Sequence, residues 1–112
     1  MADDLVVQTE ERGDWTILSV RGEVDLYTAP HLKDQLAALV GAGRNRLAVD
    51  LGQVEFMDST GLGVLIGALK RCKESGGVLA LVSPRESVAK VLAITGLDKV
   101  FSIHDSVDDT TS

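Results

Sequence analysis

Residues 46–82 read RLAVDLGQVEFMDSTGLGVLIGALKRCKESGGVLALV, and this stretch decides the fold. Arg46 to Leu51 alternates as a strand, with Leu47, Val49 and Leu51 on one face and Ala48 and Asp50 on the other. The chain then passes Gly52-Gln53, runs from Val54 to Asp58 and enters a helix near Ser59. Leu62, Leu65, Ile66, Leu69 and Cys72 recur there at helical spacing as one apolar stripe, closed by Gly76-Gly77. Val78 to Val82 is an uninterrupted apolar run, the mark of a strand covered on both faces or central in a sheet. Strand, helix and strand joined by short connections form a parallel crossover unit.

The flanks repeat the pattern. Leu5 to Glu11 and Trp15 to Glu23 read as two strands of a hairpin turned at Arg12-Gly13-Asp14. Tyr27-Thr28-Ala29-Pro30 opens a helix, with Thr28 at the N-cap and Pro30 in the first turn, where its missing N–H does no harm. Leu32, Leu36, Leu39 and Val40 continue that helix to Gly41-Ala42-Gly43. Beyond Ser83-Pro84, Glu86 to Ile94 is a further helix ended by Gly96, and Val100 to Ile103 a last strand. Asp105 to Ser112 reads as a frayed acidic tail. The expectation is one α/β domain over residues 1–112: a mixed sheet of about five strands with helices packed mainly on one face.

Composition narrows the function classes. Of 112 residues 17 are acidic and 11 basic, a formal charge of −6, which disfavours the basic stripe of a nucleic-acid protein. The acidity sits at the ends, since ten basic and nine acidic residues lie between Trp15 and His104. The start, MADDLVVQTE, lacks a basic leader and an apolar run. The longest nearly apolar stretch, Gly61 to Leu69, falls short of the ~20 residues that cross a bilayer. The one cysteine, Cys72, can form neither an internal disulfide nor a cysteine-based metal site. A cytoplasmic chain is expected, with no nucleic-acid or membrane partner and no cofactor or metal.

The chemistry concentrates in Phe56-Met57-Asp58-Ser59-Thr60-Gly61-Leu62-Gly63, where a hydroxyl residue stands at a strand-to-helix turn. Helix N-termini carry unpaired N–H groups and a positive dipole end. Ser59 could be a plain N-cap, but Gly61 and Gly63 each cost about 1 kcal/mol of helix propensity. Gly63 and Gly67, one turn apart and off the apolar stripe, leave a smooth strip open to a partner. A dinucleotide fingerprint fails on glycine spacing and on the missing acid near Leu81-Val82-Ser83. A nucleophile elbow fails because Met57 replaces its first glycine and nothing brings His31 or His104 to Ser59. A phospho-aspartate at Asp50 lacks its acidic pair after the first strand and its lysine after the last; Asp3, Asp4 and Lys99 all stand before those strands. Two readings stay open at this point: a plain N-cap, and a serine that accepts a phosphoryl group from a partner kinase, which the small Gly61 and Gly63 and a helix terminus able to hold the product both fit.

At that point a resemblance enters. Asp58-Ser59-Thr60-Gly61-Leu62-Gly63-Val64-Leu65 resembles the phosphorylation motif of bacterial anti-sigma factor antagonists, members of the STAS domain class. Arg21 to Pro30 (RGEVDLYTAP) resembles the family's second block, a Gly-Glu-apolar-Asp segment before the first helix. The resemblance implies a mixed sheet with packed helices, Ser59 as phosphoacceptor and Asp25 as a residue important to the kinase interaction. It also implies a partner surface of Asp25, Asp58, Thr60, Gly61, Leu62 and Gly63. Two partners follow from it: an anti-sigma factor with ATP-dependent serine kinase activity, and a metal-dependent serine phosphatase. The rival expectation is a STAS module serving a stress-sensing scaffold or a transporter system. An enzyme is disfavoured, since the sequence offers Ser59 no base.

Overall fold

Alternating apolar residues and short turns close the chain into five strands and four helices, seen in the computed structural model, which describes residues 5–111. β1 (Val6–Arg12) and β2 (Trp15–Val24) form the antiparallel hairpin, turned at Gly13 with φ of 61°. α1 (Ala29–Gly41), β3 (Arg46–Met57), α2 (Ser59–Glu74), β4 (Val78–Val82), α3 (Glu86–Ile94), β5 (Ser102–His104) and α4 (Val107–Thr111) follow. The sheet runs β1-β2-β3-β4-β5, and every pair after the hairpin is parallel. Asp3, Asp4 and Ser112 lie outside the described residues.

Leu47, Val49 and Leu51 are fully buried and join Leu32 and Leu36 of α1, Leu65 and Leu69 of α2, and Val88 and Leu92 of α3 in one core. The helices α1, α2 and α3 thus share one face of the sheet, as expected. Cys72 is part of this core, and burial pushes its thiol pKa up against a smaller pull from Arg71.

Three elements depart from the sequence reading. β3 continues past Leu51 to Met57, because bulges in its pairing with β2 absorb extra residues and keep the ladder going. β4 pairs only with Arg46–Asp50, so beyond Asp50 the strands β2 and β3 run on as a two-stranded extension. Along the free edge, Ser87 of α3 donates its hydroxyl to the Glu55 carbonyl at 3.3 Å. The last strand begins at Ser102, later than expected, because Leu97–Lys99 coil into a 3₁₀ turn after the left-handed Gly96.

The acidic end is not frayed as far as it is described: α4 is a helix on the opposite face. Val107 packs against Ile17, Ala48 and Val82, Thr110 is buried, and Arg12 Nη1 meets Asp108 Oδ1 at 2.7 Å. That face carries apolar residues needing cover, which outweighs the fraying tendency of an acidic terminus.

Candidate functional site

The extension of β2 and β3 positions the site. Val24 and Met57 are register partners at its tip, so Asp25 and Asp58 are the next residues on two adjacent strand ends. The Asp58 N–H donates to the Val24 carbonyl at 3.1 Å and stitches the two ends together. Crevices beyond the carboxyl ends of parallel strands are where open α/β sheets bind their ligands.

Each aspartate then organises its own loop. Asp58 is the N-cap of α2: its Oδ1 accepts the Thr60 N–H at 2.9 Å and the Gly61 N–H at 3.2 Å. A cap of this kind stabilises by about 1 kcal/mol. Ser59, which the plain reading placed at the cap, is instead the first residue of the helix, with its side chain exposed. Asp25 Oδ1 accepts the Tyr27 N–H at 2.9 Å and the Thr28 N–H at 3.0 Å. The Thr28 N–H bond holds the Asp25 carboxyl below its ordinary value, against a smaller upward push from burial and with further help from the Tyr27 N–H and the Thr28 hydroxyl.

Two residues expected on the partner surface face inward. Leu62 is 6% exposed and belongs to the core. Gly61 is buried where α2 crosses the strand ends: an added Cβ would lie 2.6 Å from Val24 Cγ1 and 2.7 Å from Met57 Cγ. Their place in the motif follows from helix packing, which brings every third or fourth residue of α2 onto the sheet. Gly63 is exposed and an added Cβ there meets nothing within 4 Å; the same holds for the half-buried Gly67. These two and Thr60 line one wall of a groove of about 650 Å³ between α1 and α2, opposite Ala29 and Lys33, with Leu26 at its rim.

Apolar residues at the same end escaped the sequence reading. Leu26 is 64% exposed, Tyr27 88% and Phe56 49%. Leu26 and Tyr27 sit in a tight turn, where large apolar side chains are out of place, and that was the available signal. Of the two histidines, His31 lies in the first turns of α1 and lines a shallow cavity with Leu5, Tyr27 and Thr28, and the His104 ring, on edge strand β5, contacts Ser102 Oγ at 3.0 Å. Among the described residues no three His, Cys, Asp or Glu side chains are grouped to hold a metal ion, and no helix is long and apolar enough to cross a membrane.

The sequence model of the STAS domain matches residues 6–110. The chain belongs to the STAS domain family. Its STAS relatives include the anti-sigma-B factor antagonist of Bacillus subtilis, 40% identical over 86 residues, which are 77% of this chain and 78% of that protein. The solved structure of an anti-sigma factor antagonist from Mycobacterium paratuberculosis superposes with a TM-score of 0.89 at 30% identity, covering 98% of this chain and 93% of that one. The Bacillus cell fate determinant SpoIIAA in its phosphorylated form gives 0.74 at 19% identity, covering 93% and 95% of the two chains, a likeness of fold.

Proposed function

We propose that this chain is an anti-sigma factor antagonist that acts in the cytoplasm as a substrate and binding partner, not as an enzyme. Ser59 takes a phosphoryl group from an anti-sigma factor that is also an ATP-dependent serine kinase. A metal-dependent serine phosphatase removes it. The observation that carries the reading is the exposure of Ser59 at the tip of the β2–β3 extension, beside the Asp25 loop. In the forward step Ser59 Oγ bonds to the γ-phosphorus of ATP while the bond to the bridging oxygen breaks. ADP leaves with that electron pair, and the hydroxyl proton passes to a base of the kinase.

The unmodified face of Asp25, Ser59, Thr60 and Gly63 docks on the anti-sigma factor. Phosphorylation adds about −1.5 to −2 charge there. The Thr60 and Gly61 N–H groups that could receive an anion are already held by Asp58, so the new charge sits next to an existing carboxylate. Burying that group in an interface without a cation costs several kcal/mol, while a thousandfold loss of affinity needs only about 4.

The test is incubation with purified anti-sigma serine kinases of the source genome and radiolabelled ATP, with site mapping. Label is expected on Ser59 and absent from Ser59→Ala. In pull-down with the same kinases, Ser59→Ala should keep the partner and Ser59→Asp should lose it. Equal labelling of Ser59→Ala, or equal binding of both variants, overturns the reading.

A further inference from the structure

Thr28 stands at the N-cap position of α1, yet its hydroxyl makes no capping bond to that helix. Oγ1 accepts the Asp25 N–H at 2.9 Å and donates to the Glu23 carbonyl at 2.7 Å, with Asp25 Oδ1 at 3.2 Å as the alternative acceptor. Asp25 Oδ1 in turn holds the Tyr27 and Thr28 N–H groups, and the Asp25 carbonyl accepts the Ala29 N–H at 2.8 Å. The segment from Glu23 to Ala29 is thus tied to itself, and Thr28 is the side chain that both donates and accepts within it.

The tie leaves Leu26 and Tyr27 standing out in solvent, next to the strand end that carries Ser59. Large side chains exposed on an ordered loop give nothing to the core. They do suit an interface, where aromatic anchors dominate and pre-formed loops avoid the ordering cost of association. Asp25 Oδ1 is consumed inside the loop, so this oxygen acts through the loop's shape.

We infer that Thr28 is a positioning residue for phosphoryl transfer to Ser59: its hydroxyl locks the Asp25 loop so that Leu26 and Tyr27 meet the kinase as pre-formed anchors. The inference rests on Ser59 being the acceptor. It separates binding from chemistry, because Thr28 holds the anchors and leaves the reacting hydroxyl alone.

The experiment is steady-state phosphorylation of the full chain by the purified anti-sigma kinase with radiolabelled ATP. Thr28→Val removes the donor and acceptor together and is expected to raise the KM for the protein substrate about five- to tenfold, with kcat within about twofold. Thr28→Ser restores the hydroxyl and is expected at wild-type KM. Tyr27→Ala, at a side chain outside the core, is expected to raise KM as Thr28→Val does. A wild-type KM for Thr28→Val, a fall in kcat alone, or a Thr28→Ser as impaired as Thr28→Val overturns the inference. Should Thr28→Val fail to fold, Tyr27→Ala decides alone, and its unchanged KM overturns the inference. A wild-type chain that takes no label on Ser59 overturns the acceptor reading itself, before any variant is measured.

Discussion

An added Cβ at Gly61 would press on Val24 and Met57 at 2.6 and 2.7 Å, whereas at Gly63, two residues on, it would meet nothing within 4 Å. The same substitution therefore has opposite consequences. Gly61→Ala overpacks the junction of α2 with the strand ends and is expected to cost about 1–3 kcal/mol, seen as a lower melting temperature. Gly63→Ala removes a helix-weakening residue and is expected to stabilise by about 0.5–1 kcal/mol, while narrowing the groove and weakening partner binding. Stability and pull-down measured on both variants check the pair; a destabilised Gly63→Ala would refute the assignment. Asp25 supplies a pH signature. Its folded carboxyl titrates below its unfolded value, so the stability it contributes is fully present above the unfolded value and is lost as pH falls through the folded one. Wild type should therefore out-melt Asp25→Asn near neutrality, with the gap shrinking on acidification. A gap independent of pH would count against the loop described here.

At the scale of elements, the three large helices were legible as runs of helical length bounded by Gly or Pro, and β4 as a short uninterrupted apolar run closed by Ser83-Pro84. What stayed hidden depends on neighbours. The extension of β3 to Met57 needs bulges against β2, and bulges leave no period in one strand's sequence. Ser59 and Asp25 were legible as candidates, but the apolar rim beside them was not, since only the assembled sheet shows which faces go uncovered. The helix α4 had a local signal: the Asp109 N–H donates to Ser106 Oγ at 3.0 Å, a capping pattern inside the segment read as a tail. Its anchoring patch of Ile17, Ala48 and Val82 exists only once β2, β3 and β4 are side by side. The exposed Arg12–Asp108 pair is of the kind worth about 0–1 kcal/mol, so burial of Val107 carries the docking. Val107→Asp is expected to cost about 1–3 kcal/mol and Arg12→Ala less than about 1, by denaturant unfolding. The reverse order would mean that the ion pair, not the apolar patch, holds α4.

Across the whole molecule, the core and the proposed docking tip occupy different places. The core lies between the sheet and α1, α2 and α3, while Ser59 stands where β2 and β3 have outrun β4. A charge added at Ser59 displaces no core side chain, because that residue is exposed and its helix is already capped by Asp58. Two electrostatic effects then oppose each other. The positive end of the helix dipole favours a nearby anion by about 0.3–1 kcal/mol, and the neighbouring Asp58 carboxylate disfavours it. The fold should hardly register the difference: Ser59→Asp is expected to melt within about 4–8 °C of wild type, the shift that 1 kcal/mol makes in a domain of this size. Partner binding is expected to be lost in the same variant. Backbone NMR shifts should change in residues 23–29 and 56–64 and stay put in β4 and β5. Changes that reach those two strands, or a melting shift well beyond that range, would show that the charge acts by rearranging the domain. Shifts confined to the tip, together with lost binding, would place the switch in the interface, where the domain's nearly balanced charge between Trp15 and His104 lets one phosphate dominate the local field.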